Sequence, residues 1–154
     1  MRLKVYTDTS VIGGCFDPEF SEWSNALLEL SRNGDITLLI ADLTLRELET
    51  APEEVKNVVD NVPDTFVEYV VLSSEAETLA KEYISAGVVS KTVIADALHI
   101  AIATVSLADI LVSWNFKHIV NYRKIRGFNG VNLLNGYREL DIRTPREVIH
   151  GEDF

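Results

Sequence analysis

The chain has 154 residues, 47% of them hydrophobic, and a formal charge of −10 at pH 7. That size and apolar content suit one folded domain over residues 1–154 and exclude a disordered chain. The acidic balance argues against a general nucleic-acid binder, since phosphates repel a negative surface, and no apolar run reaches the length of a membrane span.

The opening "MRLKVYTDTS" holds no apolar stretch of signal-peptide length, so the sequence reads as a soluble cytoplasmic protein. The single cysteine, Cys15, agrees: it can form no internal disulfide and reads as a small core or loop residue. "LKVYTD" reads as a short buried strand ending at Asp8. A helix follows with Trp23, Ala26, Leu27 and Leu30 on one face, closed by Asn33 and Gly34. "ITLLIA" is a second apolar strand, and "DLTLRELE" begins a helix. The helical pattern restarts at Pro52, with Val55, Val58, Val59 and Val62 on one face, and stops at Pro63 and Asp64. "FVEYVVL" is a third strand.

Ser74 and Glu77 have capping-box spacing, opening a helix with Leu79, Ala80, Tyr83 and Ile84 inward and Gly87 at its end. "TVIADALHIAIATVS" is helical and apolar nearly all round, which makes it central. "DILVSW" is a fourth strand, "KHIVNYRKI" a short helix or turn, and "LDIRT" a last strand. "TPREVI" is a capped helical turn with Pro145 at its first position.

Strands alternating with helices predict a mostly parallel sheet covered on both faces, an α/β fold. Ligands then sit at the carboxyl ends of the strands. Asp8 follows the first strand, Glu47 lies in the first turns after the second, Asp96 opens the central helix, and Asn115 follows the fourth strand. Asp109 precedes that strand and reads as a turn or cap residue. Capping also accounts for each of the four singly: Asp8 and Asn115 as turn or helix caps, Glu47 in a box with Thr44, Asp96 as a first-turn acid. Their joint placement is what points to a site.

A charged Asp96 on an apolar helix is costly if buried alone, and a divalent cation removes that penalty. Clustered carboxylates are hard oxygen donors suited to Mg²⁺ or Mn²⁺, which can act on a phosphodiester. His99 can share the face of Asp96, although a satisfied core histidine is its simpler role. Thr9 and Ser10 can orient Asp8. Between Ile110 and Arg138 there is no Asp or Glu, while Lys117, Arg123, Lys124, Arg126 and Arg138 alternate with Trp114, Phe116, Tyr122, Phe128 and Tyr137. A basic, aromatic segment of this kind can attract a polyanion locally, or be an ordinary solvated face.

Taken together, "VYTDTSVI", "ADLTLRELE", "ADALHIAIA" and "DILVSWNFKHIVN" resemble, in order and spacing, the PIN domain, especially the VapC-type toxin ribonucleases. The similarity covers nearly the whole chain. It implies a three-layer α/β/α sandwich and a Mg²⁺- or Mn²⁺-dependent endoribonuclease that leaves a 5′-phosphate and a 3′-hydroxyl. Carried over by position, Asp8, Glu47 and Asp96 match the family's acids as catalytic residues and metal ligands. Asn115 matches a fourth site that is often Asp, and its neutrality bears on metal affinity. Thr9 and Ser113, with Lys117, His118 and Arg123 of the basic edge, are then the substrate contacts. The resemblance further implies RNA as substrate, an antitoxin partner and a homodimer. Two other readings stand beside it: a receiver-type or phosphoryl-transfer domain, and a catalytically weak PIN-like module that binds RNA or protein.

Overall fold

The computed structural model describes residues 2–151. Its strands are β1 (Leu3–Thr7), β2 (Ile36–Ala41), β3 (Val67–Val70), β4 (Ile110–Val112) and β5 (Asp141–Arg143). They form one sheet in the order β3-β2-β1-β4-β5, and every pairing is parallel. β1 is central: Val5 lies opposite Leu38 on one side and Ile110 on the other.

Alternation along these strands divides the interior into two cores, since successive side chains point to opposite faces. Tyr6, Leu39, Leu111 and Ile142 enter one core. Val5, Leu38, Ile40 and Val112 enter the other. The first is covered by α5 (Ser74–Ser85), α6 (Ile94–Val105) and α7 (Tyr122–Leu134). The second is covered by α1 (Thr9–Gly14), α2 (Ser21–Arg32), α4 (Glu53–Asp60) and α8 (Pro145–His150). The sheet with its two helical layers is the expected α/β/α sandwich. Full burial of each large aliphatic side chain contributes about 1.5–3 kcal/mol.

α6 has the most buried residues of the helices, and His99 through Thr104 are all buried. The short α3 (Asp42–Glu47) runs from β2 into a 3-10 turn at Leu48–Thr50. Gly87 ends the α5 region with φ +78, the left-handed conformation that glycine adopts without a steric penalty.

Four expectations are corrected or extended. Helix α1 was not foreseen. The buried face of α2 adds Ser24, Leu28 and Ser31 to the expected Leu27, with Trp23 and Leu30 half-buried against the same core. Ser73, not Ser74, caps α5 by accepting from the Ala76 amide. The "KHIVNYRKI" stretch, expected as a short helix or turn, is a turn that runs into a longer helix of 13 residues.

Candidate active site

All strands run in one direction, so the residues leaving their carboxyl ends emerge on one edge. Asp8 leaves β1 and Ser113 leaves β4, which makes them neighbours. The Ser113 Oγ donates to Asp8 Oδ2 at 2.6 Å. Ser10 Oγ donates to Oδ1 at 2.6 Å, and the Val11 amide approaches the same oxygen at 3.3 Å, so Asp8 also caps α1. Both hydroxyls are fixed from behind: Ser10 accepts from the Trp114 amide and Ser113 from the Asn115 amide. Asp8 is only 4% exposed. Burial pushes its carboxyl above the ordinary aspartate value, while His99, Ser10, Ser113 and Val11 oppose the rise.

Glu47, the last residue of α3, joins a second chain of contacts. Its Oε1 accepts from Thr9 Oγ1 at 2.6 Å and lies 2.7 Å from His99 Nε2. His99 Nδ1 lies 2.7 Å from the Tyr6 hydroxyl. Burial, followed by the nearby Asp8 and Glu47 charges, raises the Tyr6 phenol, so it stays protonated and can donate. With Tyr6 donating to Nδ1, the other ring nitrogen carries its proton toward Glu47. Desolvation raises the Glu47 carboxyl, but the bonds from His99 and Thr9 outweigh it, and the group ends below its ordinary value. Glu47 lies inside α3, whose N-cap is Ala41, so the Thr44–Glu47 capping box does not form.

Asp96 is the third residue of α6 and half-buried. Burial raises its carboxyl, His118 and His99 lower it, Asp8's charge raises it further, and the Asn115 amide lowers it. Asn115 also accepts from the His118 amide at 2.9 Å, bending the chain after β4. Glu47 is bonded to the buried His99 imidazole, and the same imidazole bears electrostatically on Asp8 and Asp96. Sequence reading placed the acids but not this organising part. The signal for it was the three-residue step from Asp96 to His99.

The basic segment divides. Lys117 and Arg123 are exposed and His118 half-buried beside the acids. Lys124 instead donates to the Val88 carbonyl at 2.6 Å. Arg138 pairs with Asp109 at 3.6 Å, at the amino end of β4. There Asp109 also accepts from the Lys4 amide, the local role expected of it. A groove of about 760 Å³ between α7 and the start of β5 lies at that far end and contains none of the candidate residues.

Among the described residues, no three His, Cys, Asp or Glu side chains converge as they stand into a cage for a metal ion. Mg²⁺, however, keeps several waters and is commonly held by one or two carboxylates. Asp8 and Asp96 suit that arrangement. Burial penalises both in the charged form, and the charge of Asp8 adds to the penalty on Asp96. Asp8 Oδ2 accepts only from Ser113 and keeps a further lone pair, whereas Oδ1 accepts from both Ser10 and the Val11 amide. The donor set therefore fits a hydrated hard cation.

No family model and no curated protein matches the chain. Solved structures do. The VapBC2 complex of Rickettsia felis, bound to a DNA fragment from its promoter, contains a chain with a TM-score of 0.56 and 16% identity. That match covers 92% of this chain and 98% of the other. FitAcB of Neisseria gonorrhoeae matches with a TM-score of 0.54 and 15% identity, over 92% and 98% of the two chains. At these identities the likeness concerns the fold, which is the PIN-like architecture.

Proposed function

We propose that this protein is a Mg²⁺- or Mn²⁺-dependent ribonuclease hydrolysing RNA phosphodiester bonds. The observation that supports it is the bonding of Glu47 to His99, whose imidazole also bears on Asp8 and Asp96, at the carboxyl edge of a PIN-like sheet. Asp8 and Asp96 hold the cation, with Glu47 completing the acid cluster. When bound, the cation supplies Lewis-acid charge to the phosphodiester and eases deprotonation of water.

The chain's own groups do the rest. Ser10 and Ser113 fix both Asp8 oxygens, and Tyr6, His99 and Thr9 fix Glu47. Glu47, held ionised, accepts a hydrogen bond from the attacking water and orients it. The water oxygen bonds to phosphorus, the bond from phosphorus to the 3′-oxygen breaks, and a proton goes to that oxygen. The products are a 5′-phosphate and a 3′-hydroxyl. Lys117 and Arg123 offset phosphate charge at the rim, with His118 beside them and Thr9 at the floor; Ser113, fully buried, acts only through Asp8. The motif resemblance and the shared fold with the VapBC2 chain also support a role as the toxin of a type II pair. On that reading an antitoxin silences the protein, which forms a homodimer.

The test is cleavage of short single-stranded RNA by the purified protein with Mg²⁺ or Mn²⁺ against EDTA. Asp8→Asn and Asp96→Asn each abolish cleavage and weaken Mn²⁺ binding measured by calorimetry; cleavage persisting in both variants sinks the proposal. A second reading, a PIN-like module that binds without cutting, draws on the neutral Asn115 and on the occupied Asp8 oxygens. RNA binding with no metal-dependent cleavage selects it.

A further inference from the structure

Phe116 belongs to neither core and is 52% exposed, yet it stands one residue beyond Asn115 on the loop that carries the site. Its mount is rigid. Its ring lies 6.3 Å from that of Trp114, which stacks on Phe20 at 4.4 Å with only 21° between planes. Trp114 is buried, and its indole N–H donates to the buried Ser24 hydroxyl at 2.9 Å. Its amide donates to Ser10, the residue that holds Asp8 Oδ1. Trp114 and Ser10 therefore link the aromatic array to Asp8.

A chain of net charge −10 gains little from long-range attraction to a polyanion. Affinity for RNA must come from contacts that do not depend on net charge. Stacking of a base on an aromatic ring is such a contact, and only an unpaired base offers its face to a surface ring. The exposed Lys117 beside Phe116 can meet the adjoining phosphate.

We infer that the Phe116 ring, backed by Trp114 and Phe20, is a stacking platform for an unpaired nucleobase beside the phosphate that the acids address. The inference rests on the ribonuclease reading for its substrate. A protein partner on the same ring is the competing use, and the experiment separates the two.

The experiment is fluorescence anisotropy of the full chain with a labelled unstructured RNA of about ten nucleotides, in EDTA so that nothing is cut. The same RNA in a duplex and an abasic version complete the set. Phe116→Leu keeps an apolar side chain but removes the ring, and Phe116→Trp keeps a larger one. Circular dichroism confirms that both fold. Expected is roughly tenfold weaker single-strand binding for Phe116→Leu, retention in Phe116→Trp, and no difference between variants on the abasic strand. Equal binding by wild type and Phe116→Leu, an equal loss on abasic RNA, or no RNA binding at all overturns the inference. Ring-dependent binding without cleavage in Mg²⁺ or Mn²⁺ upholds it while overturning the nuclease. Cleavage with ring-independent binding does the reverse.

Discussion

Ser113 donates a 2.6 Å hydrogen bond to Asp8 across 105 positions of sequence. The bond exists because β1 and β4 are parallel neighbours, so their ends coincide, and it holds a buried carboxylate whose charged form the fold penalises.

That penalty sets a pH dependence. Asp8 and Asp96 have folded values above the ordinary 3.8. The folded state therefore binds their protons more tightly, and stability falls as pH rises from the ordinary value through the raised ones. Removing either charge stabilises the metal-free protein at neutral pH, and the gain fades toward acid. Asp8→Asn and Asp96→Asn are expected to raise Tm by about 2–4 °C at pH 7 and by nothing near pH 3, measured by calorimetry in EDTA. Glu47 runs the other way: its lowered value gives stability above the ordinary 4.5 that is lost as pH falls through the folded value.

A cation that neutralises the cluster stabilises the folded state alone. Mn²⁺ at about one hundred times its Kd should add about 2.7 kcal/mol, seen as a rise in Tm. The rise should disappear in Asp8→Asn. If both proteins shift equally, the ion binds elsewhere.

Asn115 stands close enough to Asp96 to lower its carboxyl. Asn115→Asp adds a carboxylate there while keeping an oxygen for the His118 amide. Tighter Mn²⁺ binding by calorimetry is expected, together with a lower Tm in EDTA; the two changes in opposite directions separate a ligand effect from a folding defect.

Tyr6 and His99 act on Glu47 from inside the core. Tyr6→Phe removes one hydrogen bond, at a cost of about 1 kcal/mol in urea denaturation. His99→Ala leaves the buried Tyr6 hydroxyl without its partner and costs more, about 1–3 kcal/mol from that group alone. In the cleavage assay, loosening Glu47 should lower kcat about tenfold or more with little change in KM, a fall of the size seen when groups orienting a metal site are removed.

Gly14 is where α1 meets the Trp114 ring. A Cβ there would lie 2.7 Å from Ser24 Oγ and 2.9 Å from Trp114 Nε1. Gly14→Ala should destabilise by about 1–3 kcal/mol in urea, through overpacking. A near-neutral result would show that the Ser24–Trp114 pair has room to move.

The same glycine explains part of what the sequence concealed. α1 reads "TSVIGG", a poor helix by propensity, and forms because tertiary packing requires a residue without a side chain at Gly14. In α7, a Cβ on Gly127 would lie 2.8 Å from Val88 Cγ1, so close approach to Val88 placed a glycine inside the helix and broke its pattern. The α2 face was only partly legible because Ser24 and Ser31 are buried with their hydroxyls bonded to main-chain carbonyls, and a hydrophobic count cannot see inward serines. The strands were legible because buried parallel strands are short continuous apolar runs, and "ITLLIA" coincides with β2. The placement of Asp8 and Asn115 at one edge was legible because they follow strands of a parallel sheet. The division of the hydroxyls was not, since Thr9 serves Glu47 and Ser10 serves Asp8, and only the turn of α1 decides which way each points.

The position of β1 between β2 and β4 has a consequence for biosynthesis. Asp8 is synthesised before the strand that shelters it and the serine that anchors it, which come about a hundred residues later. Until β4 emerges, the setting that holds Asp8 is incomplete, and a translation product that ends before it cannot place Ser113 beside Asp8.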